Sequence, residues 1–389
     1  MSYQEDKLQA IADAIRSKKG TTEPIKASDF ATEILGLSDG GGGGNEDFIT
    51  FVEGTTTELN IPNGTTTIGS KAFYYNQNLT KVNIPEGVTT IGDYAFYNNS
   101  KLETVNMPDS LIDIKSNAFQ TCTAMKTITL PKNIDHLRNS CFDGCRYVEE
   151  LNYNIIGLGY SINKSYPPFK SLGSNSTGVV VNIGEDVERL PDYLFSGGNS
   201  SAQVININTI NFPTNSKCTK LGEGCFYNCK TGKFNINWNG AYNTITEFGN
   251  SLFRSNQGLT NITIPLGVTV IPEYCFNSCT GLTNVEMHDN ITQLGSHSFN
   301  SCTGLTKVVM PSNLTNINNS AFYKCSNIVT YDFTKCTQIP ALAYTNAFTS
   351  INANCKMYVP DALYDEWIVA TNWSTYASYI AKASEMPTE

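Results

Sequence analysis

Residues Leu259 to Gly281 read L-T-N-I-T-I-P-L-G-V-T-V-I-P-E-Y-C-F-N-S-C-T-G, and the phrase recurs from Leu282 to Gly304 and from Leu305 to Asn327. Earlier copies start at Leu79, Leu102 and Met125. The L-x-x-I-x-I portion alternates apolar and polar residues, the period of a strand with one buried face. A proline follows at Pro62, Pro85, Pro108, Pro131, Pro265 and Pro311. It has no N–H to give a ladder, so it ends the strand. G-V-T-x-I-G then makes a turn and a second apolar rung, as at Val88 and Ile91. A small residue followed by Phe closes the unit.

That small–Phe pair is a ruler. It falls at Phe73, Phe96, Phe119, Phe142, Phe195, Phe226, Phe253, Phe276, Phe299, Phe322 and Phe348, and six of the ten gaps are 23 residues. One unit cannot bury its own apolar face. Stacked units can, with equivalent strands pairing at ~4.8 Å in one parallel sheet. The expectation is an α/β repeat solenoid of about eleven rungs over residues 48–356, each Phe filling the core against the next rung.

The 12 cysteines follow the same ruler. Cys122, Cys145, Cys229, Cys279, Cys302 and Cys325 stand three residues after a Phe, and Cys141, Cys225 and Cys275 directly precede one. Twelve are too few for a disulfide scaffold of this length. The C-F-x-x-C pairs offer two zinc ligands where zinc wants four. Cys279, Cys302 and Cys325 on adjacent rungs come within disulfide reach, but parallel side chains do not point at each other. Buried free thiols are expected.

Composition narrows the function. The 389 residues carry a formal net charge of −9, and 16% are charged. An acidic surface does not attract a phosphate backbone, so no nucleic acid is expected. No apolar run reaches ~18 residues, so no membrane insertion is expected. The first residues, MSYQEDKLQA, lack the basic and apolar regions of a secretory signal. The expectation is a virion (tail) or extracellular-surface location, reached by another route.

The pattern I-P-x-G-V-T-x-I-G-x-x-A-F-x-x-C, nearly complete at Ile84–Phe96 and Ile264–Cys279, resembles the BspA-like branch of the leucine-rich repeat family. The resemblance spans about residues 50–360. It implies a curved right-handed superhelix with a parallel sheet, used as a surface-exposed binding or adhesion module, with no catalytic residues.

The ends differ from the repeats. Leu8, Ile11, Ala12 and Ile15 share one helical face, and Ser28 reads as an N-cap before Phe30, Ile34 and Leu35. Residues 1–37 thus read as a helical attachment hairpin, and residues 38–47, with Gly40–Gly44, as a linker. The segment IADAIRSKKGTTEPIKASDFATEILGL resembles an N-terminal module of phage tail fibre and related virion proteins. That resemblance implies attachment to other virion or tail proteins through Leu8, Ile11, Ile15, Phe30 and Ile34, with a possible homo-oligomer on the particle. Residues 357–389 resemble the terminal cap of BspA-like arrays. Pro360–Asp361 would start a helix carrying Leu363, Trp367 and Ile368, and Ser374 would cap a second turn docking Tyr376 and Ile380.

Catalysis finds little support. His136, His288 and His297 form no metal or acid–base motif, and no G-x-S-x-G or phosphate loop is present. Glu185, Asp186, Glu188 and Arg189 gather without a histidine. Neither catalytic residue, cofactor nor metal is expected.

Binding has more to offer. The repeats lengthen near 154–180, 208–219 and 237–244, along one edge of the stack. These stretches carry Tyr160, Tyr166, Pro167, Pro168 and Phe169, then Trp238 and Tyr242. The aromatics either stand exposed for a sugar or protein, or fold inward over an irregular core. A second surface is the outward row of the sheet, with Lys81, Asn83, Thr104, Asn106, Thr127, Thr129, Glu150, Asn152, Asn261, Thr263, Asn284 and Glu286. It suits hydrogen bonding to a glycan or polar protein surface, or plain solvation. The tyrosines after Phe (Tyr74, Tyr97, Tyr227, Tyr323) read as packing. The expected function is a non-enzymatic phage tail or virion protein recognising a host cell-surface glycan or protein. The alternatives are a bacterial cell-surface leucine-rich repeat adhesin and a purely structural virion scaffold.

Overall fold

The computed structural model describes residues 57–158, 162–198, 204–229 and 232–387. The hairpin and linker expected over 1–47, with Leu8, Ile11, Ile15, Phe30 and Ile34, lie outside the described residues, as does Tyr160.

One short strand recurs per turn of the chain. These are β1 (Glu58–Asn60), β2 (Lys81–Asn83), β3 (Thr104–Asn106), β4 (Thr127–Leu130), β5 (Glu150–Tyr153), β6 (Val179–Ile183) and β7 (Ile207–Asn211). They continue as β8 (Asn235–Asn237), β9 (Asn261–Thr263), β10 (Asn284–Glu286), β11 (Lys307–Val309), β12 (Thr330–Asp332), β13 (Lys356–Val359) and β14 (Ile380–Lys382). Every pairing among them is parallel and joins equivalent repeat positions, such as Val82 with Val105 and Leu151 with Val181. A second row of two-residue strands, from Thr67–Ile68 to Ala341–Leu342, pairs the same way. The result is a parallel β-solenoid of about 14 turns with a period near 23 residues and little helix.

The third side of each turn holds the Phe. In most turns the residues two before and two after it take positive φ, for example Tyr94 (57°) and Asn98 (55°) around Phe96. This bend aims alternate N–H groups at the next turn. Tyr94, Phe96 and Asn98 donate to the carbonyls of Ser116, Ala118 and Gln120 at 3.1, 2.7 and 2.8 Å. Turns pack so closely that a Cβ on Gly92 would meet the Ser70 nitrogen at 2.5 Å, which explains the glycine of the I-G step.

The core is a column of phenylalanines. Rings from Phe73 to Phe348 stack on their neighbours at centroid distances of 5.0 to 5.7 Å. Phe169 belongs to this column, 5.7 Å from both Phe142 and Phe195. It is wholly buried. The stretch that follows β5 is therefore a complete turn of the stack, lengthened to 29 residues between the starts of β5 and β6, with Phe169 turned into the core. Pro168 in place of the small residue and Leu172 in place of Cys hid it from the ruler. This turn, with the cap turns of β13 and β14, accounts for a stack longer than eleven rungs.

The later lengthened turns also fold inward. Trp238 is 7% exposed, stacks on Phe212 at 5.6 Å and donates its indole N–H to the Thr263 carbonyl at 2.8 Å. A one-turn helix, α1 (Ala241–Thr244), follows, and Tyr242 packs half-buried against the core. Burial wins because each added residue must repay its ordering entropy with apolar contact. Of the expected edge aromatics, Tyr166 alone is an exposed large aromatic among the described residues.

At the C-terminal end, Trp367, Trp373 and Tyr376 are buried. Trp373 lies 5.7 Å from Phe348 and donates to the Pro340 carbonyl at 2.7 Å. The cap's second turn begins at Trp373, behind Asn372 with a φ of 65°. Ser374 sits inside that turn and does not cap it.

Candidate functional site

The outward row of the sheet is a hydrogen-bonded amide ladder. Asn83 Nδ2 donates to Asn60 Oδ1 at 2.7 Å, and Asn106 Nδ2 to Asn83 Oδ1 at 2.6 Å. After Thr129 the ladder resumes. Asn152 donates to Thr129 Oγ1 at 3.1 Å, Asn182 to Asn152 at 2.9 Å, Asn211 to Asn182 at 2.9 Å and Asn237 to Asn211 at 2.7 Å. Each side chain repeats because the parallel register sets equivalent residues side by side. An amide has two donor hydrogens and an acceptor oxygen with two lone pairs. One of each serves the ladder. The second N–H of Asn83 and of Asn182 donates to Glu58 and Glu150, both at 2.9 Å, whereas Asn106, Asn152, Asn211 and Asn237 keep a donor for a ligand. Further along, Thr263 Oγ1 donates to Glu286 Oε2 at 2.7 Å, and Asn261 and Asn284 stand exposed in register on β9 and β10.

The ladder has a gap at one of the three joins where the first row of strands parts, the others being β8/β9 and β10/β11. Strands β3 and β4 are not paired, although their turns stay joined through the second row and the Phe column. A groove of about 700 Å³ opens there, between Glu103, Val105 and Asn106 on one wall and Lys126, Thr127 and Thr129 on the other. The Thr104 N–H and the Asn106 carbonyl bond to the β2 turn, so by strand alternation the main chain of Val105 faces the groove. The Lys126 carbonyl serves the β5 turn, so Thr127 and Thr129 face the groove from the other side. Val105 and Met107 are half-buried here, where equivalent residues such as Val82 and Leu151 are sealed. Sequence reasoning named Asn106, Thr127 and Thr129 but missed Glu103, Val105, Met107 and Lys126. Both repeats have the regular 23-residue spacing, so no signal marked the break.

The opposite, turn-bearing side carries aromatic clusters. Tyr74, Tyr75, Tyr94 and Tyr97 touch one another at centroid distances of 5.0 to 5.8 Å. Tyr74 is 44% and Tyr75 53% exposed, so the reading of Tyr74 as packing is corrected. Further along, Lys164 lies over the rings of Tyr193 and Tyr227, Arg254 over Tyr227 and Tyr274, and Tyr274 stacks on His297 at 4.7 Å. Cations occupy those ring faces.

The cysteines have a structural task. All 12 are free and buried. The six that follow Phe by three donate their thiols to the Phe carbonyl one turn back, at 3.0 to 3.2 Å. Asn99 does the same to Phe73 at 2.8 Å. Burial pushes the Cys122 and Cys279 thiols up to about 12 and holds Cys302 well above its usual range. A neutral thiol is a donor, not a metal ligand, and no group of three metal-ligating side chains forms among the described residues. Asp186 pairs with Lys217 at 2.6 Å, and Glu185 accepts from Asn215. These acids meet neighbours on the exposed surface, not each other. No helix of the described residues is long and apolar enough to cross a membrane.

A parallel solenoid with a period near 23 residues, short stacked strands and a column of buried phenylalanines is a leucine-rich repeat architecture. The chain belongs to the BspA type leucine-rich repeat family, whose model matches residues 49–164, 174–256 and 197–329. Among solved structures, a leucine-rich repeat protein from Bacteroides ovatus is 22% identical, with 84% of this chain and 91% of that one covered at a TM-score of 0.46. One from Eubacterium ventriosum is 23% identical, with 76% and 82% covered and a TM-score of 0.42. A leucine rich cell surface protein from Faecalibacterium prausnitzii is 19% identical, with 78% and 87% covered and a TM-score of 0.36. No curated protein matches the chain.

Proposed function

We infer that this chain is a non-enzymatic binding protein of the bacterial cell surface, which recognises an extracellular glycan or polar protein surface along the sheet face of its solenoid. The observation that carries this reading is the amide ladder, which runs from Asn60 to Asn106 and from Thr129 to Asn237. Its amides are held in fixed orientation before any ligand arrives, so little conformational entropy is lost on binding. The groove between β3 and β4 adds half-buried apolar surface beside Glu103 and Lys126. Asn261, Thr263, Asn284 and Glu286 extend the same face toward the C-terminus.

The surface adhesin is preferred to a virion component because the repeat family matches over residues 49–329. The tail-fibre resemblance rests on residues 11–37 alone. Protease treatment of intact producing cells tests the location. Loss of the chain without lysis supports surface display, whereas protection in cells and co-sedimentation with phage particles overturns it.

A further inference from the structure

We propose that Tyr74, Tyr75, Tyr94 and Tyr97 form a second ligand site, on the turn-bearing side of the first turns, which binds an uncharged polysaccharide by stacking sugar rings on tyrosine. This goes beyond the sheet-face reading and does not depend on it. The cluster uses no residue of the amide ladder.

Four observations carry the assignment. The cluster is exposed, with Tyr75 at 53% and Tyr74 at 44%. It is rigid. Tyr74 and Tyr97 stack at 5.1 Å with planes 10° apart, and the Tyr75 N–H is pinned to the Tyr97 carbonyl at 2.8 Å. A pre-ordered ring gives up little entropy to a ligand. At the Tyr75 margin the hydrogen-bonded side chains are uncharged, while Asp93, beside Tyr94, has its carboxylate turned to the Ser116 N–H at 3.0 Å. Gln77 donates to the Asn98 carbonyl at 2.6 Å and accepts from Ser100 Oγ at 2.5 Å. Amide and hydroxyl beside aromatic faces match a sugar, which has apolar C–H faces and a hydroxyl rim. The cation-covered rings of Tyr193, Tyr227 and Tyr274 offer no such open face.

Size decides between a sugar and a protein. Four partly exposed tyrosines on two adjacent turns present roughly 300–400 Å². A standard protein interface takes about 800 Å² from each partner. The patch is half of that, and is adequate for a few sugar rings.

The repeat supplies its own conservative variants. Gln120 and Thr121 stand in the third turn where Tyr74 and Tyr75 stand in the first, and Asn98 holds the Tyr75 position in the second with φ of 55°. Tyr74→Gln with Tyr75→Asn therefore removes the rings on a backbone that the repeat already tolerates.

The test is affinity electrophoresis of the full chain through gels containing β-1,3-glucan, xylan, mannan or hydroxyethyl cellulose, with heparin as the charged control. The account expects retardation by at least one neutral polysaccharide, weakened about tenfold in the double variant with an unchanged melt, a change of roughly 1.4 kcal/mol. Tyr166→Ala, which removes an exposed ring outside the cluster and outside the amide ladder, should leave this retardation intact. The proposal is overturned if no neutral polysaccharide retards the chain, if heparin alone does, or if the tyrosine variant runs like the parent. It is also overturned if Asn106→Ala with Asn237→Ala loses retardation and the tyrosine variant does not, since the sugar would then lie on the sheet face.

Discussion

The thiol of Cys302 donates to the carbonyl oxygen of Phe276, 3.0 Å away and one turn back in the stack. The same carbonyl also accepts the Cys279 N–H, at 3.0 Å. Both lone pairs of a deeply buried oxygen are thereby used. Cys302→Val removes the donor at similar size and should destabilise the fold by about 1–3 kcal/mol. Cys302→Ser keeps a donor and should lose less. Urea midpoints of the two variants decide this, and equal losses would show that the thiol serves as apolar filler only.

Buried thiols also set a pH dependence. Their folded pKa values are raised by burial, to about 12 for Cys122, Cys279 and Cys325. The unfolded value is ~8.5. The neutral thiol is favoured in the fold, so its contribution is complete below ~8.5 and is lost as pH climbs toward 12. Stability should therefore fall progressively above pH 8.5, by up to about 1.4 kcal/mol per pH unit for each such thiol. At pH 8 the folded chain should resist a thiol reagent that labels it promptly in denaturant.

Phe169 and Tyr166 lie three residues apart and should behave as opposites. Phe169→Ala opens the phenylalanine column and should lose about 3–5 kcal/mol. Tyr166→Ala, at 55% exposure, should change stability by less than about 0.5 kcal/mol. Chemical denaturation of the two variants makes the comparison.

Trp238→Phe should keep most of the stacking on Phe212 but leave the Thr263 carbonyl without its indole donor. A loss of about 1–2 kcal/mol is expected from thermal or urea melts. Ligand affinity should not change, because the ring faces the core.

The repeat grammar made the solenoid legible before any coordinates. The prolines that follow many of the first strands, the apolar–Gly step after several of the second, and a Phe at a recurring 23-residue spacing each correspond to one structural event. What stayed hidden broke that grammar. Phe169 was masked by Pro168 and Leu172, residues that fit the core without matching the pattern. The outward row was legible as polar, with Asn83, Asn106 and Asn152 named. Its continuation through Asn182, Asn211 and Asn237 was not, because the spacings there drift to 30, 29 and 26 residues. The groove between β3 and β4 left no trace, since two regular repeats can part without any change in spacing.

The central claim is that the sheet-face amides recognise a ligand. The most direct test is saturation binding of the labelled full chain, to immobilised glycans, extracellular proteins and intact cells, beside the Asn106→Ala/Asn237→Ala variant. Asn106 and Asn237 end their ladder segments and are exposed, so their loss should leave the melt nearly unchanged. The account predicts saturable binding by the parent and at least about tenfold weaker binding by the variant, a loss of roughly 1.4 kcal/mol. Equal binding by both chains, with both folded, would contradict it.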